Sequence, residues 1–163
     1  MFPKRPRIHG FAYTGFHRYS LTICTRTRRP LFTDRELVAA VLLAIQQSAS
    51  VHHFAIVAYC FMPDHVHIVL NAAAEDADLR RFVSTWKQQS GYAYRKKSGE
   101  YLWQPSYFDH VLRNDEDTSR AVRYVLENPV RKGLAQNFGE YPFSGSDVFS
   151  VDQLKEMWQS RQG

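Results

Sequence analysis

Cysteine is scarce in this 163-residue chain: the only two, Cys24 and Cys60, stand far apart, each inside an apolar run. That spacing excludes a disulfide framework and a zinc knuckle, and both thiols are expected reduced in the core. No run approaches the roughly 20 apolar residues of a membrane span. The basic N-terminus is not followed by an apolar segment, so no secretory signal is read and the expected location is cytoplasmic. A P-loop pattern is missing, so ATP is not implied. Repeats, low-complexity stretches and linkers are missing too. The expectation is one domain over 1–163, with a basic irregular arm at 1–17 and a tail at 148–163 whose Val151, Leu154 and Trp158 have helical spacing.

Acidic residues are the next absence, since none precedes Asp34. The net charge of +5 is correspondingly concentrated. Lys4, Arg5, Arg7, Arg18, Arg26, Arg28 and Arg29 form one group, and Arg80, Arg81, Lys87, Arg95, Lys96 and Lys97 a second. Aromatics interleave with both, among them Tyr13, Tyr19, Tyr94 and Tyr101. Such a pattern suits a polyanion with stackable bases, and equally a surface that only keeps a protein soluble.

Tyr19 to Thr25 alternates as a half-buried strand. Thr33 and Glu36 form a capping-box pattern ahead of a helix over 34–50, whose stripe is Leu37, Val38, Val41, Leu42 and Ile45. Ala55–Phe61 is apolar on both faces, as in a central strand, and the turn Met62-Pro63-Asp64 leads into a strand over 65–70. Leu79, Phe82, Val83 and Trp86 define a helix over 78–95, with a loop at 97–99. A fourth strand covers 107–112, and Asn114 caps a helix that Pro129 is expected to stop near Asn128. The order β-α-β-β-α-β followed by a helix predicts an α+β, ferredoxin-like sandwich with an added helix.

In His65-Val66-His67 the period of a strand puts both imidazoles on one face, opposite Val66 and Ile68. If helices cover the Val66 face, the histidines project from the open one. The pair is either two hydrogen-bonded histidines or half of a metal site. In the following helix Val122, Val125 and Leu126 form the apolar stripe, which leaves Tyr124 and Asn128 together on the opposite side. They are either a solvent-facing pair or a nucleophile beside a metal-binding amide. Asp109 and His110, on the fourth strand, are candidates to assist. A non-catalytic DNA- or RNA-binding module on the same fold is the competing function; the missing RNP-type pattern counts against it.

Two segments carry a resemblance. Phe61-Met62-Pro63-Asp64-His65-Val66-His67 resembles the HUH motif of single-tyrosine transposases, and Tyr124-Val125-Leu126-Glu127-Asn128-Pro129 resembles the tyrosine segment of their REP-associated branch. Similarity extends over roughly residues 8–147, through Leu21–Arg26, Trp103–Arg113 and Tyr141–Ser146. It implies a transposase that nicks and joins single-stranded or hairpin DNA, with Tyr124 as nucleophile through a 5′-phosphotyrosine link. It implies Mg2+ or Mn2+ held by His65, His67 and Asn128, where related enzymes often carry glutamine at the last position. It also implies a nucleoid-associated monomer or homodimer. Arg5, Arg7, Arg26, Arg28, Arg29, Arg80, Arg81 and Lys87 are the expected DNA contacts, positioning phosphates without reading sequence.

Overall fold

Hydrophobic periodicity is realised in an antiparallel sheet with helices on both faces, in a computed structural model that describes residues 10–160. The elements are β1 (Arg18–Cys24), α1 (Arg35–His52), β2 (Phe54–Met62), β3 (His65–Ala72), α2 (Leu79–Ser98), β4 (Phe108–Leu112), α3 (Asp115–Arg131), β5 (Ser144–Gly145) and α4 (Val151–Gln159). The sheet order is β4-β1-β3-β2-β5, every adjacent pair antiparallel, so the first four strands have the ferredoxin-like order.

One face of the sheet presents Leu21, Ile23, Val66, Ile68 and Leu70 to α1 and α2, which contribute Val41, Ile45, Leu79, Phe82 and Trp86 to the same core. The other face carries Val57, Ala58, Cys60, Met62 and Val69 beneath Val122, Val125 and Leu126 of α3. A bulge in β2 makes this possible. The register shifts between Ile56 and Ala58, so Val57 and Ala58 both turn to α3 while Ile56 stays in the other core. The shift brings Cys60 opposite His67 and Met62 opposite His65.

Several boundaries differ from the sequence expectation, each for a local reason. Asp34, not Thr33, caps α1, accepting from the backbone N–H groups of Glu36 and Leu37; a carboxylate gains more from the helix dipole than a hydroxyl does. Helix α2 runs on through Lys97 and Ser98, because the αL stop it needs arrives only at Gly99 (φ 76°). Helix α3 does not stop at Asn128 but continues through Pro129 to Arg131. Proline forfeits one hydrogen bond near the helix end, and the turn is kept closed by Lys132 N–H to Asn128 O and Leu134 N–H to Pro129 O. Strand β5 has no counterpart in the sequence reading. It pairs with Tyr59 and Cys60, and a Cβ on Gly145 would lie 2.8 Å from the Tyr59 hydroxyl, so a larger residue there would push the Tyr59 ring aside.

Candidate active site

Strand alternation puts His65 and His67 on the same face, as expected, but that face is not open. Helix α3 covers it, and the histidines are buried at 6% and 2% exposure. Their Nε2 atoms converge at 3.1 Å, and each outer nitrogen is anchored. His65 Nδ1 lies 2.7 Å from Asp64 Oδ1, and His67 Nδ1 lies 2.9 Å from Thr22 Oγ1. A carboxylate only accepts, so His65 carries its proton on Nδ1 and turns a lone pair on Nε2 toward His67. Thr22 reaches His67 because β1 pairs with β3 in the register Thr22↔His67. Asp64 is held in turn by Arg28, whose Nε donates at 2.9 Å. Thr27 and Arg28 turn through positive φ, 54° and 57°, to bring that guanidinium back over β1, where Nη1 also donates to Cys24 Sγ at 3.3 Å.

The electrostatics keep both rings neutral. Burial pushes His67 down to about 3, reinforced by His65, Arg131 and Arg28. Burial lowers His65 as well, against the opposing pull of Asp64. Burial alone would raise the Asp64 carboxyl, but hydrogen bonds from His65 and Arg28 prevail and hold it below the usual carboxylate range. Two buried, neutral imidazoles with converging lone-pair positions and fixed outer nitrogens are the donor chemistry a divalent metal requires.

Tyr124 lies across from them on α3, its ring 5.8 Å from that of His67 and nearly perpendicular to it. The ring is 49% exposed, and the Arg131 guanidinium sits 4.3 Å from its centre. Arg131, two turns along, also donates to the Tyr124 carbonyl and pairs with Glu127. Asn128 departs from expectation, for it is buried at 3% exposure on the sheet side of α3 while Tyr124 stays half open. The two share a helix edge, but Asn128 stands about 40° further round, toward Val125, and that is enough to tuck it under.

The remaining expected residues scatter. Arg5 and Arg7 lie outside the described residues. Arg28 is part of the histidine support. Arg29 pairs with Glu100, and Arg81 with Asp78. Arg26 stands over Tyr101, Arg80 over Tyr13, and Lys87 over Tyr107 while donating to Gln104 O. Asp109 pairs with Leu21 and so faces the α1/α2 side, away from the histidines; His110 shares the α3 face but is exposed at the sheet edge. Asp64, Thr22 and Arg131 were missed. Asp64 and Arg131 were within reach of sequence, one adjoining His65 and one two turns from Tyr124, whereas Thr22 depends on strand register.

The ferredoxin-like sheet, with a histidine pair on its central strand and a half-open tyrosine on the helix facing it, places the chain in the class of the tyrosine transposases. The chain belongs to the IS200-like transposase family, whose sequence profile (Transposase IS200 like) matches residues 15–128. Among its relatives is the REP-associated tyrosine transposase of Escherichia coli K12, 29% identical over 128 residues, covering 76% of this chain and 72% of that one. A solved REP-associated tyrosine transposase bound to a REP hairpin superposes with a TM-score of 0.72 at 22% identity, covering 91% of this chain and 96% of that one.

Proposed function

We propose that this transposase cuts and rejoins single-stranded DNA at REP-type hairpins, with Tyr124 as the nucleophile and His65, His67 and Asn128 holding a divalent metal. The observation that carries this is the placement of the Tyr124 ring against a histidine pair whose Nε2 atoms converge. The hairpin substrate is suggested by the relatives' names.

Bound Mg2+ or Mn2+ would neutralise a non-bridging phosphate oxygen and favour loss of the phenol proton. Everything else falls to the chain. Tyr124 Oη attacks phosphorus, a bond to the 5′-phosphate forms, the P–O3′ bond breaks, and the departing oxygen takes up a proton as a free 3′-hydroxyl. The phenol proton leaves to solvent, to which Tyr124 is open. Because bond energy is retained in the phosphotyrosine link, a second 3′-hydroxyl can reverse the step and join strands. Arg131 over the Tyr124 ring holds the phenol in place. Tyr124 and His67 meet within one chain, which supports action in cis. A purely nucleic-acid-binding role fits less well, because the sheet face that such modules leave open for stacking is covered by α3.

The test is a denaturing gel of labelled hairpin oligonucleotide incubated with protein and Mn2+ or EDTA. A covalent adduct is expected with Mn2+ only; binding without adduct under every metal condition would favour the binding module. Asp64→Asn tests the support of His65. It keeps the size but removes the charge that orients the ring, so Mn2+ affinity measured by calorimetry should fall about 10–100-fold with the fold retained. Unchanged affinity would take Asp64 out of the site.

A further inference from the structure

Cation–ring contacts recur in this chain, with Arg80 over Tyr13 and Arg95 over Tyr101 along α2. Arg131 differs in the ring it covers, which is that of the proposed nucleophile. It differs also in how little holds its charge. Glu127 stands one helical turn before it, but that carboxylate is engaged elsewhere. Its Oε1 accepts from Arg123 Nε at 3.1 Å, whereas Oε2 lies 3.7 Å from Arg131 Nη1, beyond hydrogen-bond reach. The one side-chain hydrogen bond of Arg131 among the described residues runs from Nη2 to the Tyr124 carbonyl. The side chain is 40% exposed, so the rest of its planar fork of donors is open to a ligand.

The helix end explains the pose. Helix α3 runs through Pro129 to Arg131, which keeps Arg131 on the helix two turns beyond Tyr124. A long helical side chain leans back toward the N-terminus. From position 131 it therefore lies down over Tyr124, and the bond to the carbonyl fixes it there. Its charge is felt at the histidines too, for Arg131 is one of the groups that disfavour a proton on His67. One guanidinium thus stands near both the phenol and the proposed metal donors.

We infer that Arg131 is a catalytic residue, donating hydrogen bonds to a non-bridging oxygen of the phosphate that Tyr124 attacks. The inference rests on the proposal that Tyr124 cleaves DNA. In that step Tyr124 Oη bonds to phosphorus and the P–O3′ bond breaks; the guanidinium keeps its protons throughout. Attack builds negative charge on two non-bridging oxygens, and donors already in place against that charge lower the barrier. Both histidines are neutral and Asp64 is bound to Arg28, so the chain's own charge over the phenol is that of Arg131. Lys132 bears on His65 as well, from just past the helix end. A planar fork of fixed orientation suits phosphate oxygens better than a mobile ammonium does.

The experiment maps the cut on an unmodified hairpin oligonucleotide with Mn2+, then places single Rp or Sp phosphorothioates at that position. Single-turnover rates at saturating DNA are compared for wild-type protein, Arg131→Gln, Arg131→Lys and Lys132→Gln, each checked by melting temperature. Arg131→Gln should be about 10^2–10^3-fold slower on the unmodified strand. Arg131→Lys, which keeps the charge and loses the fork, should recover part of that rate. One diastereomer should slow wild type without slowing Arg131→Gln further, the non-additivity that marks a direct contact; the other should slow both alike. Holding the ring and nothing more gives equal sulfur effects in both proteins, and that result overturns the inference. So does a loss in Lys132→Gln as large as in Arg131→Gln, which would make the effect one of local potential. In EDTA, where nothing is cut, a neutral methylphosphonate at the same position should weaken binding by wild type about 10-fold more than by Arg131→Gln. Equal weakening overturns the contact. No cut by wild-type protein on the unmodified hairpin sinks the cleavage proposal and this inference with it, whereas a cut with equal sulfur effects sinks this inference alone.

Discussion

Tyr124→Phe should abolish covalent capture of DNA, lowering cleavage by roughly 10^4-fold or more, the scale of losing a nucleophile. The ring and its contacts with His67 and Arg131 survive the change, because both involve the aromatic system and not the hydroxyl. Tyr124 is half exposed, so stability should move by less than about 0.5 kcal/mol. A denaturing gel and a thermal melt on the same preparation separate the two effects. Residual adduct at wild-type level would assign the nucleophile elsewhere. A large drop in melting temperature would mean that the hydroxyl is structural.

Trp86→Ala should have the largest effect on stability. Trp86 is fully buried at the centre of the α1/α2 core, 5.3 Å from Trp103 and edge-on to it, with Phe82 at 6.4 Å. Emptying that volume costs about 3–5 kcal/mol. For a chain of this size that is a fall of roughly 6–20 °C in melting temperature. The indole N–H has no hydrogen-bond partner among the described residues, so Trp86→Phe gives up no polar contact there and should cost only about 1–2 kcal/mol. Near-equal losses from the two variants would show that the core closes around the cavity.

Much of the architecture could be read from periodicity. The alternation of Tyr19, Leu21 and Ile23 and the stripe Leu79, Phe82, Val83 and Trp86 each name one buried face, and burial is what selects strand or helix there. Where the chain terminates its helices was less legible. Asp34 against Thr33, and Pro129 inside α3, are contests of a few tenths to a few kcal/mol between local groups, decided by what the helix end packs against. Strand β5 escaped notice because two residues make no period; it exists through Gly145 fitting beneath Tyr59 and the Phe61 N–H reaching Phe143 O.

The sequence by itself determined the pairing of His65 with His67 on one face, the presence of Tyr124 on a following helix, and the family, because these depend on spacings of two to four residues. Only the tertiary structure decided which histidine nitrogens are held, and by what. Thr22 is 45 residues from His67, and Arg28 is 36 from Asp64. Strand register and a left-handed turn bring them together, and no local pattern encodes either. The tertiary structure likewise decided that α3 closes over the histidine face, since an amphipathic helix records that it packs but not on which side of the sheet. It also sorted the basic residues, placing Arg28, Arg29 and Arg81 on carboxylates and Arg80 and Arg95 on tyrosine rings. A run of charge in sequence carries no record of its partners.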